Sequence, residues 1–566
     1  MMRRHFASLI AAATIAACFG VPVTIYGVTP LHRIAVVTGA PQAEFVDTVT
    51  GRFFLPEGNN YIHLTSGTES TFNVGLYDSA AAESALAGMQ LDQYNVVRVA
   101  IEQSRPNDPL LQTGNYGVGG PLSTNVPDLY PAYLANFIDF LTRATSHGIH
   151  VIPILSYIPY NTYYYSIINT PFPYVAGNNA FYLSPYGLQA KQIYVQQFVN
   201  AIKAADPNLL PTILAYEIQN EVLADDTAQP FSLSSGLVTT GDGVRYNMAD
   251  ATSRQQCQDA NTVFWANQVA STIRSYDSGA LVSASVFTFA AVGKPGGPNG
   301  LLPTYPACGN SCAYPARPVT LSLYATGLSF IDIHLYPAGT NNDCGTGNYS
   351  IDSDLASSEF SLIDQTKSPL MMGEYGAADS YFHTVTCAAL GMGNHREQAY
   401  ARGFFGSSFW TWDLPRDDNP NDPNYMPYYP LNESGGAING ILAPIERITA
   451  SNTISTAYPY LATDGNAATQ WNSGAYAPQW IEIDLGKNVT ISKVTLTVAQ
   501  YPAGHTTHRI SGGLNKGSLS LLGTLDGITQ SSQVLHLTFN PQYLRYLRVD
   551  TAVSPSWIAW SEIMVQ

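Results

Sequence analysis

The chain reads as an α/β protein, a (β/α)8 barrel followed by an all-β jelly-roll sandwich. Three observations predict this. Eight short apolar segments recur between residues 45 and 445, each followed by a polar or aromatic loop and then a helical pattern. Near residue 450 the helical patterns stop and short alternating strands divided by Gly, Asn, Asp and Pro take over. Within the first region, chemically loaded residues gather at the carboxyl ends of the apolar segments, where a barrel of this kind builds its active site.

The amino terminus, residues 1–28, places two arginines before an alanine-rich apolar run, the layout of an export signal. Ile15, Ala16, Ala17 and Cys18 also resemble the lipobox of bacterial lipoproteins, so Cys18 is either a lipid attachment point or a small apolar residue of a cleaved signal. A secreted or cell-surface protein follows from either reading. Export permits disulfides. Beyond Cys18 stand Cys257, Cys308, Cys312, Cys344 and Cys387, an odd number, so at least one is free or pairs outside the chain. Cys308 and Cys312 suit a short local loop closure, whereas Cys-x3-Cys without a nearby histidine fits zinc poorly.

The strand candidates, in order, are 52–62, 94–101, 149–158, 212–221, 280–290, 329–337, 368–377 and 407–413. Several are apolar on both faces, as parallel strands covered by helices must be. Between them lie helical patterns such as AAAESALAGMQLDQ, YLANFIDFLTRATSHG and LQAKQIYVQQFVNAIKAAD, the last stopped by Pro207. The strand ends carry Asn59 and Asn60, Arg98, Asn220 and Glu221, His334 and Tyr336, Glu374, and Trp410 and Trp412.

Glu221 and Glu374 are the informative pair. A closed barrel can bring the ends of its fourth and seventh strands across one pocket, and two carboxylates facing each other across a sugar can divide acid and nucleophile work. Arg98 supplies a positive partner for the nucleophile, or serves only as a structural ion pair; His334 is a site residue or a hydrogen-bonded core histidine. Glu217 reads as a group behind the site or on its rim rather than as the acid. Charged residues are only 12% of the chain, and 25 Lys and Arg against 41 Asp and Glu give a net charge of -16, which excludes nucleic acid and anionic membrane surfaces as partners. With 36 Tyr, 22 Phe and 7 Trp, the composition favours carbohydrate. The richest aromatic loop is 157–174, YIPYNTYYYSIINTPFPY.

These motifs carry a family resemblance. GRFFLPEGNNY (51–61), NVVRV (95–99), Asn220-Glu221, His334-Leu335-Tyr336, GEYG (373–376) and FWTWD (409–413) resemble the strand-end motifs of glycoside hydrolase family 5 and its clan A relatives, notably β-mannanases and cellulases. The resemblance covers residues 45–440. It implies a retaining double displacement with Glu221 as acid/base and Glu374 as nucleophile. It further implies Asn220 on the sugar 2-hydroxyl, Arg98 and Tyr336 on the nucleophile, His334 lining the reactive subsite, Trp410 or Trp412 as its floor, and Asn60 among the substrate-binding residues. No cofactor is needed for that reaction, and a monomer is expected. The substrate it favours is β-1,4-mannan cut internally, with a β-1,4-glucanase, another family 5 β-glycosidase or a non-catalytic glycan-binding surface protein as alternatives.

Residues 446–566 resemble the discoidin family, the coagulation factor type C domain, whose carbohydrate-binding members form family 32. The matching pieces are ATDGNAATQWNS (462–473), PQWIEIDLG (478–486) and the run from 543 to 566. Such domains often hold structural calcium near the DGN turn, for which Asp464 and Asn466 offer oxygen ligands, though Asp-Gly-Asn equally makes a plain turn. His505, His508, Arg509 and Trp557 are the candidate glycan contacts, and Trp560 falls in an alternating run that suits the core.

Overall fold

The computed structural model describes residues 29–39, 42–65, 68–91, 94–103, 109–287, 318, 326–336, 363–377, 385–412, 447–454, 457, 459–463 and 470–565. The expected export segment with Cys18, the Cys308, Cys312 and Cys344 thiols and the Asp464–Asn466 turn lie outside the described residues.

The first region is a parallel sheet wound with helices. Its strands are β1 (Glu57–Asn60), β2 (Val96–Ala100), β3 (His150–Ile154), β4 (Ala215–Glu217), β5 (Leu281–Ser283), β6 (Ser285–Phe287), β7 (Ile331–His334), β8 (Leu370–Tyr375) and β9 (Phe404–Phe409). They pair in the order β5-β4-β3-β2-β1-β9-β8-β7-β6. The two ends of that order, β5 and β6, are separated in the chain by Ala284 alone, so the sheet returns nearly upon itself. Helices α1 (Ser79–Leu91), α2 (Pro131–Ser146), α3 (Pro185–Ala205), α4 (Ala251–Tyr276) and α5 (Val385–Ala401) cover its outside.

Local chemistry explains these elements. Pro131 and Pro185 stand at the first helical positions, where a missing N–H costs nothing, and Ser184 caps α3 by accepting from the Gly187 N–H. Asp250 caps α4 through the Thr252 and Ser253 N–H groups. β3 and β8, buried throughout, and β2, buried up to Val99, have no solvent face, as parallel strands under helices require. Gly58 lets β1 approach β2 closely, since a Cβ there would lie 2.8 Å from the Val96 carbonyl oxygen. Cys257 is a buried free thiol on α4.

An antiparallel hairpin of Ile34–Val37 with Glu44–Asp47 lies under the amino-terminal ends of the strands. Its Phe45 packs edge-on against Phe330 just before β7, and Phe405 of β9 packs against both Phe45 and Phe53. These rings form an apolar floor at the end of the barrel-like sheet opposite the strand carboxyl ends.

The second region is all β: β10 (Arg447–Ala450), β11 (Trp471–Asn472), β12 (Gln479–Val498), β13 (Gly504–Asn515), β14 (Ser518–Thr529), β15 (Val534–Val553) and β16 (Ala559–Val565). They make one seven-stranded sheet in the order β11-β16-β12-β15-β13-β14, with β10 paired to β12. Trp471 and Trp560 sit opposite one another and fill its core with Ile481, Leu547 and Val549. Among the described residues, no helix is long and apolar enough to cross a membrane.

The two regions meet at the apolar floor. Arg545 of β15 donates through Nε and Nη2 to the two oxygens of Asp484, at 2.7 and 2.9 Å, and lays its guanidinium 3.2 Å above the Phe53 ring. Both ion-pair partners are largely buried, so removing one leaves a desolvated charge. Arg545→Ala should therefore lower stability in urea denaturation by about 3 kcal/mol, the loss of a buried pair plus a cation–π contact. A loss below about 1 kcal/mol would mean that solvent already screens the pair.

Candidate active site

Strand alternation decides which side chains meet inside the sheet. Side chains two residues apart share a face, so Asp332 and His334 of β7 point inward together, as do the paired positions on neighbouring strands. From β2, Arg98 enters this interior and is 1% exposed. It donates Nε to Glu217 Oε2 at 2.6 Å and Nη2 to Glu217 Oε1 at 2.7 Å, a two-pronged pair with β4. Nη2 also reaches Asn220 Oδ1 at 2.6 Å, while Nη1 reaches Asn60 Oδ1 at 2.7 Å and Glu374 Oε1. All five guanidinium N–H groups are thereby used. Burial opposes the charge, but Glu217 and Glu374 hold it protonated.

Glu221 lies four residues beyond Glu217, after β4 has ended, with φ of 51°. A non-glycine residue in the left-handed region is strained. Ser285 holds it there by accepting the Glu221 N–H at 2.8 Å while donating its own proton to Glu217 Oε1 at 2.9 Å. The Glu221 carboxyl faces that of Glu374, with His334 Nδ1 between them, 2.9 Å from Glu221 Oε1 and 3.4 Å from Glu374 Oε2. The three donor atoms lie within 4.8 Å of one another. Tyr336 donates its hydroxyl to Glu374 Oε2 at 2.9 Å.

The environments of the two carboxyls differ. Burial pushes Glu221 up to about 7; Arg98 pulls it down and Glu217 adds to the rise. Burial also lowers His334 to about 4, so the imidazole between the carboxyls is neutral near pH 7 and brings no charge that would ionise Glu221. Glu374 accepts on both oxygens, from Arg98 and from Tyr336.

Two triads, Glu217 with Asp332 and His334, and Glu221 with His334 and Glu374, have the spacing of cation sites. The Arg98 guanidinium already fills Glu217 and takes one oxygen of Glu374, so the positive charge that a metal would bring is supplied by the protein.

The sequence-predicted residues divide into those at the mouth and those behind it. Asn220, Glu221, His334, Tyr336 and Glu374 come together with Arg98. Two substrate contacts need correction. Asn60 is buried, accepting from Arg98 and donating to Ser408 and Phe409, so it braces the guanidinium rather than touching sugar. Arg98 has no N–H left for a substrate. Trp412 points outward, its ring against Tyr94 and over Gly88 of α1, which leaves half-buried Trp410 as the ring at this strand end. Glu217 is fully buried behind the site, not on its rim.

In the second region, His508 is 3% exposed, 2.9 Å from the Thr551 hydroxyl and edge-on to Trp560, and burial lowers it to about 4. It is a core residue and not a glycan contact. The alternation along β13 puts 506, 508 and 510 inside and leaves His505 and Arg509 exposed, His505 beside Asp526. Trp557 is exposed in the loop before β16, with Tyr476 and Tyr501 exposed in neighbouring loops, and Trp560 is core.

Sequence reasoning missed Ser285, Asp332 and Lys191. Ser285 and Asp332 were legible from alternation, since SASV and IDIH put them on the faces of Ser283 and His334. Lys191 of α3 reaches the carbonyls of Leu155 and Tyr157 from outside the strands, which no local pattern announces.

Comparison with known proteins bears on the second region alone. Residues 447–564 match the F5/8 type C domain. The carboxy-terminal region is therefore an F5/8 type C domain. Among solved structures, the CBM32 of AlyQ in complex with 4,5-unsaturated mannuronic acid is 25% identical, covering 22% of this chain and 96% of that one, with a TM-score of 0.20. Chitosan-binding module 1 from the chitosanase/glucanase of Paenibacillus sp. IK-5 gives 25% identity, 22% and 96% coverage and a TM-score of 0.20. The family 32 module of Clostridium perfringens NanJ in complex with galactose gives 22%, 21% and 90%, and 0.18. At these TM-scores none of the likenesses bears on function. No curated protein matches the chain.

The displaced Glu221 titration has a measurable consequence. A carboxyl raised from 4.5 to about 7 on folding binds more protons folded than unfolded between those values. Its contribution falls as pH rises through that window and is constant above it. Glu221→Gln removes the effect, so its stability relative to the wild type should rise by about 2–3 kcal/mol between pH 4 and pH 8 in urea denaturation. An unchanged difference would place the Glu221 carboxyl at its ordinary value.

Proposed function

We propose that the protein is an exported retaining β-glycosidase acting on a β-linked polysaccharide, with β-1,4-mannan cut internally as the favoured substrate and β-1,4-glucan the alternative. The observation that carries the reaction class is the spacing of two carboxyls in unlike surroundings: oxygens of Glu221 and Glu374 within 4.8 Å, across His334. Retaining enzymes hold their carboxyl groups about 5–5.5 Å apart and inverting ones about 6.5–9.5 Å, because the latter must admit a water between acid and sugar. On this reading the nearly closed sheet is a (β/α)8 barrel in which β5 and β6 are halves of one strand interrupted at Ala284.

The chemistry follows from the hydrogen bonds. Glu221, protonated near neutral pH, donates to the glycosidic oxygen while Glu374 attacks the anomeric carbon; the sugar–oxygen bond breaks as the sugar–carboxyl ester forms. The negative charge that Glu374 gives up appears on Glu221, now a carboxylate. Glu221 then takes a proton from water, which attacks the anomeric carbon and returns Glu374 to its partners Arg98 and Tyr336. Asn220, held by Arg98, borders the pocket beside Glu221 and is placed for the 2-hydroxyl. Proton transfer to the leaving oxygen makes a metal unnecessary for this route.

The carboxy-terminal domain is proposed to hold glycan through Trp557, with His505 and Arg509 on an adjoining face, and calcium at Asp464 and Asn466. Residues 1–28 are proposed as the export segment, with Cys18 as the point of lipid attachment or part of a cleaved leader. A monomer suffices for all of these roles.

Reducing-end assays on mannans, glucans, xylan and galactans, with products separated by size, identify the substrate. Azide then separates the two carboxylates. Glu374→Ala should lose turnover on every substrate. Glu221→Ala should lose about 10²–10⁴-fold on poor leaving groups yet still cleave an activated aryl glycoside, and azide should rescue it to give a β-glycosyl azide, read by proton NMR. An α-azide from Glu221→Ala, or equal unrescued loss in both variants, would overturn the assignment.

A further inference from the structure

Asp332 is a carboxyl that the proposed reaction does not use. It sits on β7 two residues before His334, is 1% exposed, and shares a 4.8 Å neighbourhood with Glu217 and His334. Its fit depends on Gly373 of β8, where any Cβ would collide with Asp332 Oδ1. The Gly373 N–H faces the carboxyl, and Oδ1 has no hydrogen-bond partner among the described residues.

The charged and titratable groups around it are few. Arg98 approaches from β2, Glu217 from β4, Glu374 from β8 and His334 from β7 itself, with Glu221 beyond β4. Among the described residues Arg98 is the one cation there, and its five N–H groups go to Glu217, Glu374, Asn60 and Asn220. None remains for Asp332. His334 is neutral, and Ser285, the register neighbour of Asp332 across β6, gives its proton to Glu217. A buried carboxylate beside two others, with only the Gly373 N–H and the field of an already committed guanidinium to offset it, would be poorly compensated.

We propose that Asp332 is held as a neutral carboxylic acid beneath the site, a positioning residue that leaves Arg98 divided between Glu217 and Glu374. Ionised, it would compete for the guanidinium and draw it from Glu374. Burial first, and then the Glu217 charge, push Asp332 well above the ordinary aspartate range, in the same direction as the donor count. The cluster then holds one cation and two anions, and the charge that moves between Glu374 and Glu221 during reaction does so without a third anion nearby. This catalytic consequence rests on the glycosidase reading; the protonation state does not.

Infrared difference spectroscopy on the full chain tests the protonation state directly. At pH 9 the carboxyls of Glu221 and Glu102, each pushed up to about 7, are ionised. A protonated-carboxyl C=O band should persist in the wild type at that pH and vanish in Asp332→Asn. Its absence from the wild type, or its survival in Asp332→Asn, overturns the proposal. Kinetics test the positioning role. Asp332→Ala should lower kcat by about tenfold or more with KM little changed, as expected of misplaced groups, and Asp332→Asn should restore most of the loss. In Asp332→Asn the basic limb of the kcat/KM profile should stay where it is in the wild type. A downward displacement of about one pH unit would mean that a negative charge had been removed, and would overturn the neutral-acid assignment. If the wild type cleaves no glycan, the glycosidase reading fails while the infrared result still decides the state of Asp332.

Discussion

One guanidinium organises the interior of the parallel sheet. Arg98 spends its five N–H groups on side chains from β1, the β4 end and β8, and each of those contacts fixes something that the site needs. Glu217 balances the charge in two-pronged geometry, Asn60 braces the fork from behind, Asn220 is oriented at the mouth, and Glu374 is held on one oxygen. Truncating such a buried ion pair on one side is strongly destabilising, because the charge left behind keeps its desolvation cost. The arrangement is therefore fold and site at once. Small interior residues make room for it: Gly58 admits close strand approach, and Gly373 admits Asp332.

The same cluster explains why two carboxyls a few ångströms apart behave differently. Glu374 lies within reach of Arg98 and Tyr336, whereas Glu221 has stepped out of the strand into a strained left-handed turn, held by Ser285 and facing a neutral imidazole. Burial, only partly offset by the Arg98 charge, raises Glu221. Strain retained at a residue that could have stayed in the sheet points to a function for its position rather than to packing.

Strand positions were readable because parallel strands under helices are short, apolar and evenly spaced, and the strand ends announced Arg98, Glu221, His334 and Glu374. What alternation alone could not give was side-chain direction past the strand end. Trp410 and Trp412 look equivalent in FWTWD, yet Trp412 turns toward α1. His505 and His508 in GHTTHR fall on opposite faces because they are an odd number of positions apart, and only His508 meets the core. Asn60 looked like a substrate contact because it is polar at a strand end; long-range pairing with Ser408 and Arg98 consumes it. The β5–β6 interruption at Ala284 left no mark in the apolar run ALVSASVFTFA. The F5/8 type C region docks through Arg545 and Phe53 on the end of the sheet away from the carboxylates. Its exposed Trp557 follows the far end of β15, which lies eight residues or about 26 Å along the strand from Arg545.

The most direct measurement is covalent. An activated 2-deoxy-2-fluoro-β-glycoside of the sugar that the substrate assays identify forms the glycosyl-enzyme and slows its release, so the nucleophile carries the label through proteolysis and mass spectrometry. One sugar per chain is expected, on the peptide containing Glu374. A label on Glu221, or inactivation without any covalent sugar, would contradict it.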